Sequence, residues 1–132
     1  NPKHKFVGFF IGSPGMNFLA CTVEGNIARV DGAGIVLDDD TAALASKAQG
    51  KMEIGIRPTH LQVHAESVKG GIPAAVKSVQ DHGSFKILTV NMAGHTLHAR
   101  LPEGQAVPSN EAWLRFLPQW TKLFADGRLV SK

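Results

Sequence analysis

Apolar and polar residues alternate along most of this chain, in short runs set off by glycine, proline and Asp-Gly pairs. Met52, Ile54 and Ile56 alternate with Glu53 and Gly55, and Leu97, Ala99 and Leu101 alternate with His98 and Arg100. A period of two predicts strands with one buried face. Short β-prone runs over Met16 to Val23, Ile27 to Val30, Ile35 to Leu37, Ile72 to Gln80, Phe85 to Met92, Ala112 to Phe116 and Lys122 to Phe124 also read as strands. Glu24-Gly25-Asn26, Asp31 to Gly34, Lys69-Gly70-Gly71, Ala93-Gly94 and Asp126-Gly127 supply the turns between them. Together these make roughly eight to ten short strands with turn signals at about the spacing of a small barrel.

Two stretches break the period. Pro2 stands at a good first helical position behind Asn1, and Phe6, Val7, Phe9, Phe10 and Ile11 recur at helical spacing, so residues 2 to 11 are predicted as a short amphipathic helix. At that length an isolated helix is marginal, since about 12–15 residues are normally needed, so its apolar face requires a partner. Gly12, Ser13, Pro14, Gly15 and Asn17 then form a joint that no helix crosses. The second helix is expected over Thr41 to Gln49, opened by Asp38-Asp39-Asp40 and stopped by Gly50. The expected architecture is therefore all-β: a barrel of the oligonucleotide/oligosaccharide-binding (OB) type, possibly doubled, with a short N-terminal helix. A linker over residues 1–15 precedes a barrel over 16–132, built from two intertwined lobes that meet near the Lys69-Gly70-Gly71 turn, at about 16–68 and 69–132.

The chain has 132 residues, 43% of them hydrophobic, and a net charge of +3. Lys and Arg are scattered rather than striped, and there is no Tyr, which speaks against a nucleic-acid platform. Neither a signal peptide nor an apolar run of the roughly 20 residues that span a bilayer is present. The absence of an initiator Met suits a piece of a longer polypeptide. The single cysteine, Cys21, sits in a strand-like run and reads as a buried inert thiol.

Candidate chemistry is thin. Gly32-x-Gly34 hints at a phosphate loop, but β-prone Ile35-Val36-Leu37 follows where a helix is required. Gly50-Lys51 lacks the earlier glycine of such a loop, so no nucleotide hydrolysis is expected of this chain itself. His60 and His64 lie across a proline turn, and His95 and His98 fall on opposite faces of one strand, which leaves no metal set. Asp81-His82-Gly83-Ser84 brings an acid, an imidazole and a hydroxyl together, but as chain neighbours they read as a turn rather than a triad. No catalytic, cofactor or metal residue is assigned.

Two blocks carry a resemblance. Asn1-Pro2, Phe6-Val7, Phe10-Ile11-Gly12-Ser13-Pro14 and Met16-Asn17-Phe18 form the first, and Gly55-Ile56-Arg57-Pro58 the second. The chain resembles the C-terminal regulatory region, of transport-associated OB type, of ABC transporter ATP-binding proteins of the maltose and glycerol-phosphate kind. The resemblance departs at Thr59, where the pattern has Glu, and at Gln80-Asp81-His82-Gly83, which keeps the glycine but not the acid. It implies a non-catalytic regulatory and dimerisation domain of a bacterial importer for sugars or polyols. ATP and Mg would belong to a preceding nucleotide-binding domain. The implied partners are that domain, a second copy of the subunit, membrane permease subunits and a regulatory protein, at the cytoplasmic face of the inner membrane. Phe6, Phe9, Phe10, Gly12, Ser13, Pro14, Asn17, Arg57, Pro58, Trp120 and Phe124 are the expected interdomain or dimer residues, Trp120, Leu123 and Phe124 forming an apolar surface after Pro118. Two rival readings remain open at this point: a barrel that binds an oxyanion or sugar, and a single-stranded nucleic-acid module.

Overall fold

A computed structural model describes residues 15–130. The predicted helix over residues 2–11, and with it Phe6, Phe9, Phe10, Gly12, Ser13 and Pro14, lies outside the described residues. From the alternating pattern the described chain builds three antiparallel sheets. The first orders β1 (Asn17–Ala20), β5 (Met52–Ile56), β11 (Lys122–Ala125) and β12 (Arg128–Val130). The second orders β6 (Gln62–His64), β10 (Glu111–Arg115), β7 (Ile72–Asp81), β8 (Phe85–Met92) and β9 (His95–Pro102). The third is the small meander β2 (Thr22–Glu24), β3 (Ile27–Val30) and β4 (Ala33–Val36). That is twelve strands among the described residues, more than the eight to ten expected.

Part of the excess comes from Met16 to Val23, which alternates as one strand but serves two sheets. The Cys21 N–H donates to the Met52 carbonyl at 3.1 Å, ending the β1–β5 ladder, and Thr22 then pairs with Arg29. Alternation continues through the change of partner, so nothing in the pattern marks it. The next hairpin is also tighter than expected: Asp31-Gly32 alone makes the turn, with φ of 43° and 92°, so β4 begins at Ala33 rather than Ile35. Such left-handed pairs match the twist of the strands they join. Ala93-Gly94 and Asp126-Gly127 turn in the same way.

Among the described residues the one α-helix, α1 (Asp39–Ala45), is shorter than the predicted Thr41 to Gln49 and begins two residues earlier. Asp38 caps it, its Oδ1 accepting the Thr41 N–H at 2.7 Å, and Asp39 and Asp40 occupy the first turn. At the other end the Ser46 hydroxyl donates to the Ala43 carbonyl at 2.7 Å, and the chain loosens toward Gly50. Asp126 anchors the exit by accepting the Lys51 N–H at 2.8 Å.

The halves of the chain repeat one plan. Each contributes a hairpin turned by a left-handed residue pair, then a strand, then a single 3₁₀ turn begun by proline (Pro58–His60 and Pro118–Trp120), then an arm. The arms cross over. β6 leaves β5 to pair with β10, and β11 leaves β10 to pair with β5. The registers correspond, Leu114 facing Val63 as Ile54 faces Leu123, each residue sixty places from its counterpart. Buried residues from all three sheets form one cluster, with Ala28, Val30, Leu88, Val90, Leu97, Ala99, Leu114 and Leu123 fully enclosed.

One polar side chain ties the first two sheets into a barrel wall. Asn17, expected at a turn, lies in β1 and is 6% exposed. Its Nδ2 donates to the carbonyls of His98 at 2.9 Å and Ile56 at 3.2 Å, and its Oδ1 accepts the His98 N–H at 2.9 Å. The amide thus takes both edge groups of His98, as a neighbouring strand would. On the opposite face of β1, Met16 and Phe18 lie with Phe124 over Gly55, where a Cβ would come within 2.8 Å of Phe124 and 2.9 Å of Met16.

Asn17→Ala, which strands the buried N–H and C=O of His98, is expected to cost roughly 1–3 kcal/mol in urea denaturation. Gly55→Ala, which forces the Phe124 ring from its seat, should destabilise by about 1–3 kcal/mol in the same assay. An unchanged midpoint in either variant contradicts the corresponding packing.

Candidate interface at the strand crossing

The crossing of the two arms gathers the exposed chemistry of the domain. Proline forces the residue before it into extended geometry. Arg57 (φ −72°, ψ 145°) and Leu117 (φ −71°, ψ 134°) adopt it, so each strand ends cleanly before its 3₁₀ turn. The same bond closes both turns, His60 N–H to the Arg57 carbonyl and Trp120 N–H to the Leu117 carbonyl, each at 2.9 Å. His60 and Trp120 therefore end corresponding turns, and their rings stack with centroids 4.0 Å apart and planes 21° from parallel. Pro58 is buried beneath, and Thr121, 2% exposed, locks the second turn by donating its hydroxyl to the Leu117 carbonyl at 2.9 Å.

Trp120 remains 43% exposed, an unusual position for so large an apolar ring. Arg57 and Lys122 are exposed beside it, and among the described residues no carboxylate lies within ion-pair distance of either. Burial, then Arg57, then Lys122 hold the His60 pKa below its ordinary value. The protonated form of His60 is thus disfavoured beside this cationic rim. An aromatic plane with a guanidinium and an ammonium at its border is suited to contact with a protein surface.

The expected site residues divide here. Arg57, Pro58 and Trp120 meet at the crossing. Phe124 does not: it is 4% exposed and packs edge-on against Phe18 at 5.3 Å. Leu123 is fully buried, so of the apolar surface expected from Trp120, Leu123 and Phe124, Trp120 alone faces outward. Alternation in β11 put Leu123 inward, while Phe124 sits on the outer face over Gly55, which its strand alone did not indicate. Asn17 is likewise an internal clamp rather than a surface residue. His60 and Lys122 were missed. The shared Pro-x-ring spacing of Pro58–His60 and Pro118–Trp120 was the available signal.

The remaining candidates fall into structural roles. Cys21 is half-buried, and burial, followed by the Glu53 charge, pushes its thiol up to about 11. It lines an open crevice of about 710 Å³ between α1 and β2, walled by Val23, Ala42, Ala45 and Met52. His95 bonds Asp31 at 2.6 Å while His98 bonds Thr89 at 3.1 Å, on opposite faces of β9. Asp81 accepts the Gly83 N–H at 2.8 Å, and His82 stacks on Phe85 at 4.8 Å, an ordinary capped turn. Among the described residues no group of His, Cys, Asp and Glu is placed to hold a metal ion, and no helix is long and apolar enough to cross a membrane.

Among the described residues, twelve strands curled around one core, with a single capped α-helix, define an OB-type barrel. Residues 12–61 match the model of the MalK OB fold domain, and along most of its length the chain is similar to ABC transporter ATP-binding proteins. It is 30% identical over 127 residues to the sn-glycerol-3-phosphate import ATP-binding protein UgpC of Salmonella typhi, covering 96% of this chain and 35% of that protein. An uncharacterized ABC transporter ATP-binding protein of Sinorhizobium fredii, y4oS, is 34% identical over 118 residues, 86% of this chain and 30% of the relative. The chain spans about a third of the length of these curated relatives. In fold it is similar to the cytoplasmic molybdate-binding protein ModG, solved with molybdate bound, with a TM-score of 0.60 and 10% identity over 88% of this chain and 99% of that one.

Because the native state disfavours the proton on His60 and the unfolded chain does not, folding stability should fall as pH drops below about 6.5, where the unfolded group begins to protonate. His60→Gln should lack that component in denaturation curves at pH 5 to 8. Lys122→Ala should move the His60 titration, followed by NMR, back toward its ordinary value. An unmoved titration contradicts the cationic rim. The Cys21 thiol should react with a disulfide reagent at pH 8 more slowly than the same protein does in urea.

Proposed function

We propose that this chain is the non-catalytic regulatory and dimerisation domain of the ATP-hydrolysing subunit of a bacterial ABC importer for a sugar or polyol. The observation that carries the reading is the similarity to an ABC import ATP-binding protein along 96% of the chain. The domain braces. Its crossed arms hold the two halves together, and the Trp120–His60 stack with Arg57 and Lys122 gives the brace a contact face. Bound ATP and Mg belong to a nucleotide-binding domain elsewhere on the polypeptide, and no residue described here is assigned to them. In this reading the partners are that domain, a second copy of the subunit, the membrane permeases and a regulatory protein. The subunit works at the cytoplasmic face of the inner membrane.

The first test is the coding sequence upstream of Asn1, which should contain a glycine-rich phosphate loop with its Lys. Its absence removes the reading. In the intact subunit, Trp120→Ala should leave ATP affinity unchanged and lower transport or its regulation by roughly tenfold, the scale of one contact residue worth about 1.4 kcal/mol. A variant with unaltered transport and regulation removes the crossing from the interface.

A further inference from the structure

Two cations at the strand crossing are left unmatched by the fold. Elsewhere positive side chains have partners: Arg29 pairs with Glu24 at 2.8 Å, Arg100 lies 3.8 Å over the Phe85 ring, and His95 bonds Asp31 at 2.6 Å. Among the described residues no carboxylate meets Arg57 or Lys122, although the two stand close together. Lys122 faces Gly55 across the β5–β11 ladder, and Arg57 follows Gly55 by two residues in extended geometry. Both therefore sit on the outer face as diagonal neighbours, about 7–8 Å apart and within reach of long side chains. Lys122 leans toward the second 3₁₀ turn, its Nζ donating to the Gln119 carbonyl at 3.5 Å. Like charges at this spacing repel, so the fold gains nothing from the pair.

The ring beside them is equally unfinished. Trp120 is backed by His60, 4.0 Å away and 21° from parallel, yet 43% of the residue stays exposed. Among the described residues His60 is the only ring stacked on it, which leaves indole surface for a further planar group. The cations define what that group carries. A guanidinium fork binds a tetrahedral oxyanion through parallel N–H groups, and a lysine adds a point charge. A phosphomonoester holds close to two negative charges at neutral pH, matching both cations, whereas a carboxylate leaves one unmatched. Nucleic-acid bases stack on aromatic side chains through their flat faces.

We infer that the strand crossing binds a nucleoside monophosphate, its base laid on Trp120 and its phosphate held between Arg57 and Lys122. The inference rests on the contact face of the proposed function for its location and adds a ligand to it. A nucleotide here covers the surface that a partner protein would touch, so the two exclude one another. His60 reports the occupant. Burial, then Arg57, then Lys122 disfavour its proton, and a bound phosphate offsets both charges. β9 also packs against this turn, but its basic groups are engaged, His98 with Thr89 at 3.1 Å, Arg100 with Phe85 and His95 with Asp31. Binding should therefore move the His60 titration upward, toward its ordinary value.

The test is an NMR titration of the 132-residue chain with AMP, read on the His60 ring and the backbone amides. AMP should shift the signals of His60 and Trp120 saturably, and adenosine and inorganic phosphate, each offering half of the contact, should bind roughly tenfold more weakly. Arg57→Gln and Lys122→Gln, both surface changes, should each weaken AMP about tenfold. Trp120→Ala should weaken it by roughly tenfold or more, while Trp120→Phe keeps most of the affinity and separates loss of the ring from loss of the fold. Phosphate binding as tightly as AMP, AMP affinity indifferent to charge removal at residues 57 and 122, or a His60 titration that AMP leaves in place overturns the inference. Transport by the intact subunit separates the two proposals. No AMP binding by the chain, together with loss of transport or regulation in Trp120→Ala, overturns the ligand and leaves the contact face standing. AMP binding together with unaltered transport and regulation in that variant removes the contact face and leaves the ligand standing.

Discussion

The barrel depends on one carboxamide. β1 and β9 are edge strands of different sheets, and a sheet edge left unpaired inside a wall would bury polar groups without partners. Asn17 solves this from within β1, presenting to His98 a donor and an acceptor as a further strand would. Aspartate would lack the donor, and leucine both groups, although either is close in volume. The third bond, to Ile56, fixes the amide against its own neighbour strand, so its orientation is set from two directions. The hydrophobic core could be filled by many sequences, but the way its two walls meet is specified here.

Gly55 and Arg57-Pro58 belong to the recognisable block, and their geometry accounts for them. Gly55 leaves room for Phe124 and Met16 to cross the outer face of β5, and Pro58 ends β5 and starts the arm that crosses to the other half. Arg57 supplies a charge at the point where the arms pass. A short motif thus encodes a close approach, a surface charge and a strand end within four positions.

Much of the fold was legible. Strict alternation located β5 and β9 nearly to the residue, short β-prone runs located β8 and β10, and Ala93-Gly94 and Asp126-Gly127 located the β8–β9 and β11–β12 turns, because these signals act within a few residues. What escaped was long-range. The division of Met16 to Val23 at Cys21 depends on a partner at Met52, and the burial of Phe124 depends on a glycine in the adjoining strand. The candidate interface was half legible. Arg57, Pro58 and Trp120 stood out by type and position, but the stacking of His60 on Trp120 joins positions sixty apart, and only the exchange of arms brings them together. The helix was placed correctly but drawn too long, since an Ala-rich run carries high propensity past the point where Ser46 turns its hydroxyl back on the backbone.

The exchange of arms also governs how the domain comes into being. During synthesis β1 and β5 leave the ribosome long before β11, the strand that completes their sheet, and β6 emerges before β10, the strand it must join. Neither half can close its sheet alone. The nascent first half therefore waits with one flank of β5 open until β11 arrives, and closure of its sheet is a late event. A truncation before Lys122 would leave β5 without its second neighbour while the five-stranded sheet kept all its strands, so the first half depends on a strand made far later than its own.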